Sequence, residues 1–189
     1  MLNRENGFTL PWRSPIAFDR EGAFAFVALL MALLLVYSGS FQGEWHFDDF
    51  HNVVDNRCVH VQNLDDLPKS FYGLTCEAAE RWISRPFAYA TLALNYYLGG
   101  TDVVGYHIVN FAIHLSAAFF LFLLIRLTLT LPTMNERYGN IAYPVALLST
   151  FLWATSPLHV HAVTIIVQRM ASMAGLFYVA SLYFYVRAR

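Results

Sequence analysis

Charge is what this sequence has least of. Asp, Glu, Lys and Arg make up 13% of its 189 residues, about half the share a soluble domain carries. Charge of one sign is lacking too: 12 basic and 13 acidic residues leave a net charge of -1. That excludes the strongly basic character of a nucleic-acid-binding protein, and no nucleic-acid partner is expected. Gly/Ser linkers, low-complexity tracts and fixed-period repeats are absent, so residues 1–189 read as one membrane module with no detachable soluble domain. Cysteine is limited to Cys58 and Cys76, and no Cys/His spacing matches a defined metal site.

What the chain does have is apolar residues, 57% of the total. A membrane helix needs roughly 20 of them in a row. The run "GAFAFVALLMALLLVYSGS" qualifies. A cleaved signal peptide is the competing reading, but about twenty residues of mixed polarity come first, and the apolar core exceeds the roughly 7–15 residues of a signal sequence. Further spans are "GYHIVNFAIHLSAAFFLFLLIRL", with Arg126 at its far end, "NIAYPVALLSTFLWATSP", and a fourth with Gln168-Arg169 in its first third. The expected fold is therefore an all-α membrane protein of about four transmembrane helices, at about 22–40, 105–127, 140–157 and 163–186. A large first outer loop, 41–104, is expected to contain short amphipathic or interfacial helices.

Orientation follows the basic residues near helix ends. Arg4, Arg13, Arg20, Arg126, Arg137, Arg187 and Arg189 fall on one side, against Arg57, Lys69, Arg81, Arg85 and Arg169. This predicts N-in and C-in, with the loop outside. Cys58 and Cys76 lie in that loop. In an oxidising compartment they are positioned to form a disulfide worth on the order of 3 kcal/mol; two free buried thiols are the alternative. Within the loop, "NLDDLPKSFYGL" reads as a short helix interrupted near Pro68 and "EAAERW" as another turn or two. "RPFAYATLALNYYLGG" is too short to span and too apolar for open water, so an interfacial helix is expected, with a re-entrant segment as the alternative.

The residues suited to chemistry gather at the outer membrane level. "HFDDFHN" sets Asp48 and Asp49 beside His46 and His51. Adjacent side chains diverge in any regular element, so at most one aspartate is expected to react while the other supports the loop or holds a cation. His107, Asn110 and His114, at i, i+3 and i+7, form one polar stripe that must face the bundle or a hydrated cavity. Interhelical hydrogen bonding is its plainest use. In "SPLHVHAVTIIVQRM" Pro157 breaks the helix, with His159 and His161 at the surface and Arg169 suited to a lipid phosphate or to snorkelling.

Three blocks in order, "FDDFHNVVDN", "SRPFAYATLALNYYLGGTDVVGYHIVNFAIHL" and "LLSTFLWATSPLHVHAVTIIVQRMASMAGLFYVASLYFYVRAR", resemble the N-terminal part of polytopic GT-C glycosyltransferases. The branch they resemble is the bacterial one with tetratricopeptide repeats, similar to the transmembrane-and-TPR O-mannosyltransferases. The resemblance implies transfer of a sugar from a polyprenyl-phosphate carrier to an acceptor on the outer face of a bacterial inner (cytoplasmic) membrane. It assigns Asp48 as general base, Asp49 as support or metal ligand, and Arg85 and Arg169, beside Gln168, to the donor phosphate. It leaves metal dependence open, a divalent cation being one option. The family pattern continues through further helices and then repeats, whereas this chain stops at Arg189. The resemblance thus implies a truncated or split module, bathed in membrane lipids and completed by a second membrane subunit or a homo-oligomer. A non-catalytic membrane protein or accessory subunit that keeps the fold, and a metal-binding membrane protein using His46, His51, His159 and His161, are the other readings.

Overall fold

A computed structural model describes residues 20–189; Arg4 and Arg13, counted above for orientation, lie outside the described residues. Seven α-helices follow in order: α1 (Arg20–Tyr37), α2 (Pro86–Gly99), α3 (Val103–Leu129), α4 (Pro132–Tyr138), α5 (Ala142–Ala154), α6 (Val160–Thr164) and α7 (Arg169–Ala188). There is no strand among the described residues.

α1 buries Ala25, Leu29, Leu33 and Tyr37, every fourth residue, and leaves Phe24, Val27, Met31 and Leu35 exposed. An apolar outer face of that size suits hydrocarbon, where the helix has already satisfied its own backbone polar groups. The buried stripe meets Phe111, Leu115, Ala118 and Phe122 of α3 and Ala146 of α5. α3 is the central element, packed against α1, α5 and α7. Its 27 residues give a length of about 40 Å, more than the roughly 30 Å of a hydrocarbon core. Asp102 caps its start, the carboxylate accepting from Val104 N at 3.1 Å.

Among the described residues, two helical stretches are long and apolar enough to cross a membrane, residues 20–42 and 103–129. A third is added if the pair bent by 54°, Pro132–Ala154 with Pro157–Thr164, is one span. Where a continuous span was expected over 163–186, the chain is interrupted: α6 ends at Thr164, Ile165 is extended, Ile166–Gln168 forms a 3₁₀ turn, and α7 begins at Arg169. α7 is not apolar enough to count as a span by itself.

The loop between α1 and α3 folds over a core of its own, with Val53, Val59 and Val61 packed on Tyr89, Leu92 and Ala93 of α2, Tyr106 of α3 and Ile166. Residues Leu64–Tyr72 form a 3₁₀ helix with Pro68 inside it. The expected helix at "EAAERW" does not form; residues 77–80 are turn and bend, and 81–82 are irregular. The competing geometry is local: Trp82 N donates to Thr75 Oγ1 at 3.2 Å, and Ser84 N donates to Phe71 O at 3.1 Å, drawing the segment into a closed loop. Gly73, at φ 56°, passes so close to Tyr89 that a Cβ would lie 2.7 Å from the ring. Cys58 and Cys76 are joined by a disulfide. α2 turns Phe87, Leu94 and Leu98 outward, with Trp82 and Ile83 exposed just before it.

Replacing both Cys58 and Cys76 by serine is expected to lower stability by about 3 kcal/mol, because the unfolded loop regains its freedom. The thermal midpoint of the detergent-solubilised protein, with and without reductant, measures this. Identical midpoints would mean the bond contributes nothing.

Candidate functional site

The segment that leaves α1 turns sharply at His46–Asp49: Asp49 N donates to His46 O at 2.8 Å and Phe47 takes a left-handed φ of 41°. A bulky residue in that region costs about 1–3 kcal/mol and persists only where surrounding contacts hold it. The turn separates the two aspartates. Asp49 is fully buried, while Asp48 is exposed. Asp49 Oδ1 accepts from Val167 N at 2.7 Å, and Oδ2 accepts from Ile166 N at 3.4 Å and from His46 N at 3.1 Å. Ile166 and Val167 open the 3₁₀ turn that leads into α7, so their amides lack intrahelical acceptors and stand at the positive end of the helix dipole. A carboxylate supplied from across the molecule satisfies both. Asp48 carries no such load: its backbone oxygen accepts from Asn52 Nδ2 at 2.8 Å, and its carboxylate has no hydrogen bond or ion pair among the described residues.

The stripe on α3 reaches the same break and, before it, the end of α5. His114 Nε2 donates to Ala154 O at 2.9 Å, an oxygen that also accepts from Tyr37 Oη at 3.1 Å. His107 Nδ1 lies 3.5 Å from Val163 O. Asn110 Nδ2 reaches Ile165 O at 3.1 Å and Ile166 O at 3.3 Å. All three residues of the stripe thus meet backbone carbonyls at helix ends, His114 at the end of α5, His107 in the last turn of α6 and Asn110 at the break that follows it. His107 Nε2 is buried without a hydrogen bond. It faces Gly43, where a Cβ would lie 3.0 Å away.

Arg169 is fully buried. Its Nε donates to Asn110 Oδ1 at 2.8 Å, Nη1 to Asn95 Oδ1 at 2.7 Å and Thr91 Oγ1 at 3.4 Å, and Nη2 to Tyr106 O at 2.9 Å. The guanidinium lies over the Tyr106 ring, 5.7 Å from its centroid. All these acceptors are neutral, and no carboxylate pairs with it among the described residues. Hydrogen bonds in place of a counter-ion are what make a buried cation tolerable.

Arg85 stands at the surface. It precedes Pro86 with a left-handed φ of 48°, at the start of α2, and its Nη1 touches Met170 Sδ at 3.1 Å. Gln168 is exposed one residue before Arg169. These two side chains therefore reach the surface beside the buried network. His51 and His161 are exposed, and His159 packs on Trp153 with centroids 4.4 Å apart. Among the described residues no three His, Cys, Asp or Glu side chains gather as a metal site, so His46, His51, His159 and His161 form no cluster. Several participants went unread in the sequence. Tyr89 Oη donates to Asn52 Oδ1 at 2.7 Å, tying α2 to the acidic turn, and burial pushes that phenol up, the neighbouring Arg85 partly opposing. Thr91 and Asn95, four residues apart in an apolar helix, were the signal that α2 has a polar partner.

The chain is similar to proteins named as glycosyltransferases. Protein O-mannosyl-transferase TMTC4 of Mus musculus is 31% identical over 170 residues, covering 82% of this chain and 22% of that protein. Protein O-mannosyl-transferase F38B6.6 of Caenorhabditis elegans is 27% identical over 183 residues, 94% of this chain and 25% of its own length. Protein O-mannosyl-transferase Tmtc3 of Drosophila melanogaster is 25% identical over 198 residues, 94% and 21% respectively. The chain thus spans only 21–25% of these relatives' length. No family model and no solved structure matches it.

Asp49→Ala is expected to destabilise the protein by about 1–3 kcal/mol, because the buried amides of Ile166 and Val167 lose their acceptor. Asp48→Ala should stay within about 0.5 kcal/mol of the parent. Unfolding midpoints of the two variants in one detergent check the difference, and equal losses would refute it.

Proposed function

We propose that this chain is one module of a GT-C-type glycosyltransferase that takes a sugar from a polyprenyl-phosphate carrier and passes it to a hydroxyl of a protein acceptor outside a bacterial inner membrane. The observation that carries the reading is the inequality of the two adjacent aspartates. Asp49 is committed to the N-terminus of α7, and Asp48 is held beside it with its carboxylate open. In this proposal Asp48 accepts the acceptor's proton as the new C–O bond forms, a role worth about a hundredfold or more in rate. Asp49 fixes the turn that aims it.

The departing carrier phosphate gains negative charge, and a positioned cation stabilises it. Arg85 is exposed beside α7 and is the direct contact. Arg169 contributes from behind, its charge carried by neutral acceptors alone and so left to act on an approaching anion. Gln168 adds a neutral donor at the surface. α7 is taken as a fourth span, with the N-terminus and C-terminus inside and 41–104 outside. The exposed Phe87, Leu94 and Leu98 stripe then rests α2 on the outer bilayer surface. The chain spans a small share of its relatives, and the remainder of the donor groove is assigned to further membrane helices. Any divalent cation would have to be shared with the substrate.

A non-catalytic reading draws on one specific observation: His107, Asn110, His114 and Arg169 are all engaged in hydrogen bonds that hold the bundle together. Asp48→Asn separates the two. Transfer of radiolabelled sugar from the lipid carrier to a hydroxyl peptide, in membranes holding the complete enzyme, should fall at least about a hundredfold while the thermal midpoint is unchanged. Undiminished transfer would overturn the assignment of the base.

A further inference from the structure

Resting on the reading of a protein acceptor, we propose that the loop carries a second site, which takes a carboxylate-bearing peptide segment flanking the acceptor hydroxyl. The site is a polar cleft of about 360 Å³ around the disulfide, apart from the acidic turn. Residues 41–104 contain nine acids and four basic residues. Arg57, Lys69 and Arg81, three of those four, line this one cleft, against only Asp66 and Glu77. Such segregation creates a positive spot in an otherwise acidic loop.

Two of the three cations are not used up by the fold, whereas Lys69 pairs with Asp66. Arg57 is exposed, and its guanidinium has no hydrogen bond or ion pair among the described residues. Arg81 is exposed and lies over the Tyr72 ring, 5.4 Å from its centroid, which leaves the in-plane N–H groups of its guanidinium for a carboxylate. Gln62 and Asn63 line the same cleft and offer amides that suit a peptide backbone. The surface is held rigidly: Cys58–Cys76 bridges its walls, and the His60 ring stacks on Tyr96 with centroids 4.2 Å apart.

A run of asparagines couples the cleft to the acidic turn. Asn52 Nδ2 donates to Asp48 O at 2.8 Å, Asn56 Nδ2 donates to Asn52 O at 3.0 Å, and Asn56 Oδ1 accepts from Cys58 N at 2.9 Å. In the proposal, a peptide anchored in the cleft presents its hydroxyl toward the loop that carries Asp48, remote binding energy serving position at a reacting centre.

The test uses the chain in phosphatidylcholine nanodiscs, with fluorescence anisotropy of a labelled Ser/Thr peptide flanked by glutamates and of its glutamine counterpart. The acidic peptide should bind about tenfold more tightly. The preference should shrink as salt rises from about 50 to about 500 mM, and should vanish in Arg57→Gln/Arg81→Gln. Asp66→Asn, which removes an opposing charge, should tighten binding. Equal affinity for the two peptides, an unchanged preference in the double variant, or tighter binding of an acidic oligosaccharide than of the peptide would overturn the proposal. Binding that persists in Asp48→Asn, whatever happens to transfer, keeps this site separate from the assignment of the base.

Discussion

The interaction on which the rest depends is the grip of one carboxylate on a helix start 117 residues further along the chain. Asp49 accepts from the amides of Ile166 and Val167, and Asn110 donates to the carbonyls of Ile165 and Ile166. Between them they satisfy both sides of a backbone that has left its helix. At membrane depth such an interruption survives only if the protein supplies the missing partners. The cost of doing so is a buried polar cluster, and the chain meets it by extending the cluster through Asn110 to Arg169, and from Arg169 to α2 and the start of α3.

That network explains why the polar residues at this level fall into two kinds. Asp49, Asn110, His114 and Arg169 face inward and are hydrogen-bonded by neighbours. Asp48, Arg85 and Gln168 stand at the surface of the same scaffold, held by the turn at Phe47, by the αL residue that starts α2 and by the first residues of α7. Two of these holding points carry the only left-handed non-glycine backbone among the described residues, Phe47 and Arg85. Strain of this kind is tolerated where packing over-determines it, and here both instances flank the open carboxylate and the exposed guanidinium. The bundle below therefore sets the geometry of the surface above.

Much of this was legible in the sequence. The long apolar runs foretold α1 and α3 with small errors at their ends, since hydropathy over twenty residues is a strong signal. The 14 residues of α2 were legible from Pro86 at its start and two glycines at its end. The stripe of His107, Asn110 and His114 was readable as helical spacing, and hydrogen bonding across helices is the use the structure displays. The break at Ile165–Gln168 was not legible: no proline or glycine marks it, because its cause lies in Asp49 and Asn110, far away in the chain. The turn at "EAAERW" escaped for a related reason. Good helix formers were overridden by Thr75 and Phe71, which tie the segment's ends together. Helix and strand geometry alone could say only that Asp48 and Asp49 differ, not which is which, and the assignment of Asp48 as base and Asp49 as support comes from the resemblance.

The central claim is that neighbouring aspartates divide the work, one holding the helix start and one left at the surface with its carboxylate unbonded among the described residues. Amide hydrogen exchange at Ile166 and Val167 in the membrane-reconstituted protein tests it most directly. The account predicts slow exchange in the parent and in Asp48→Asn, and exchange at least about tenfold faster in Asp49→Ala, as the lost acceptor lowers the local opening free energy. Fast exchange in the parent, or equal acceleration in both variants, would contradict it.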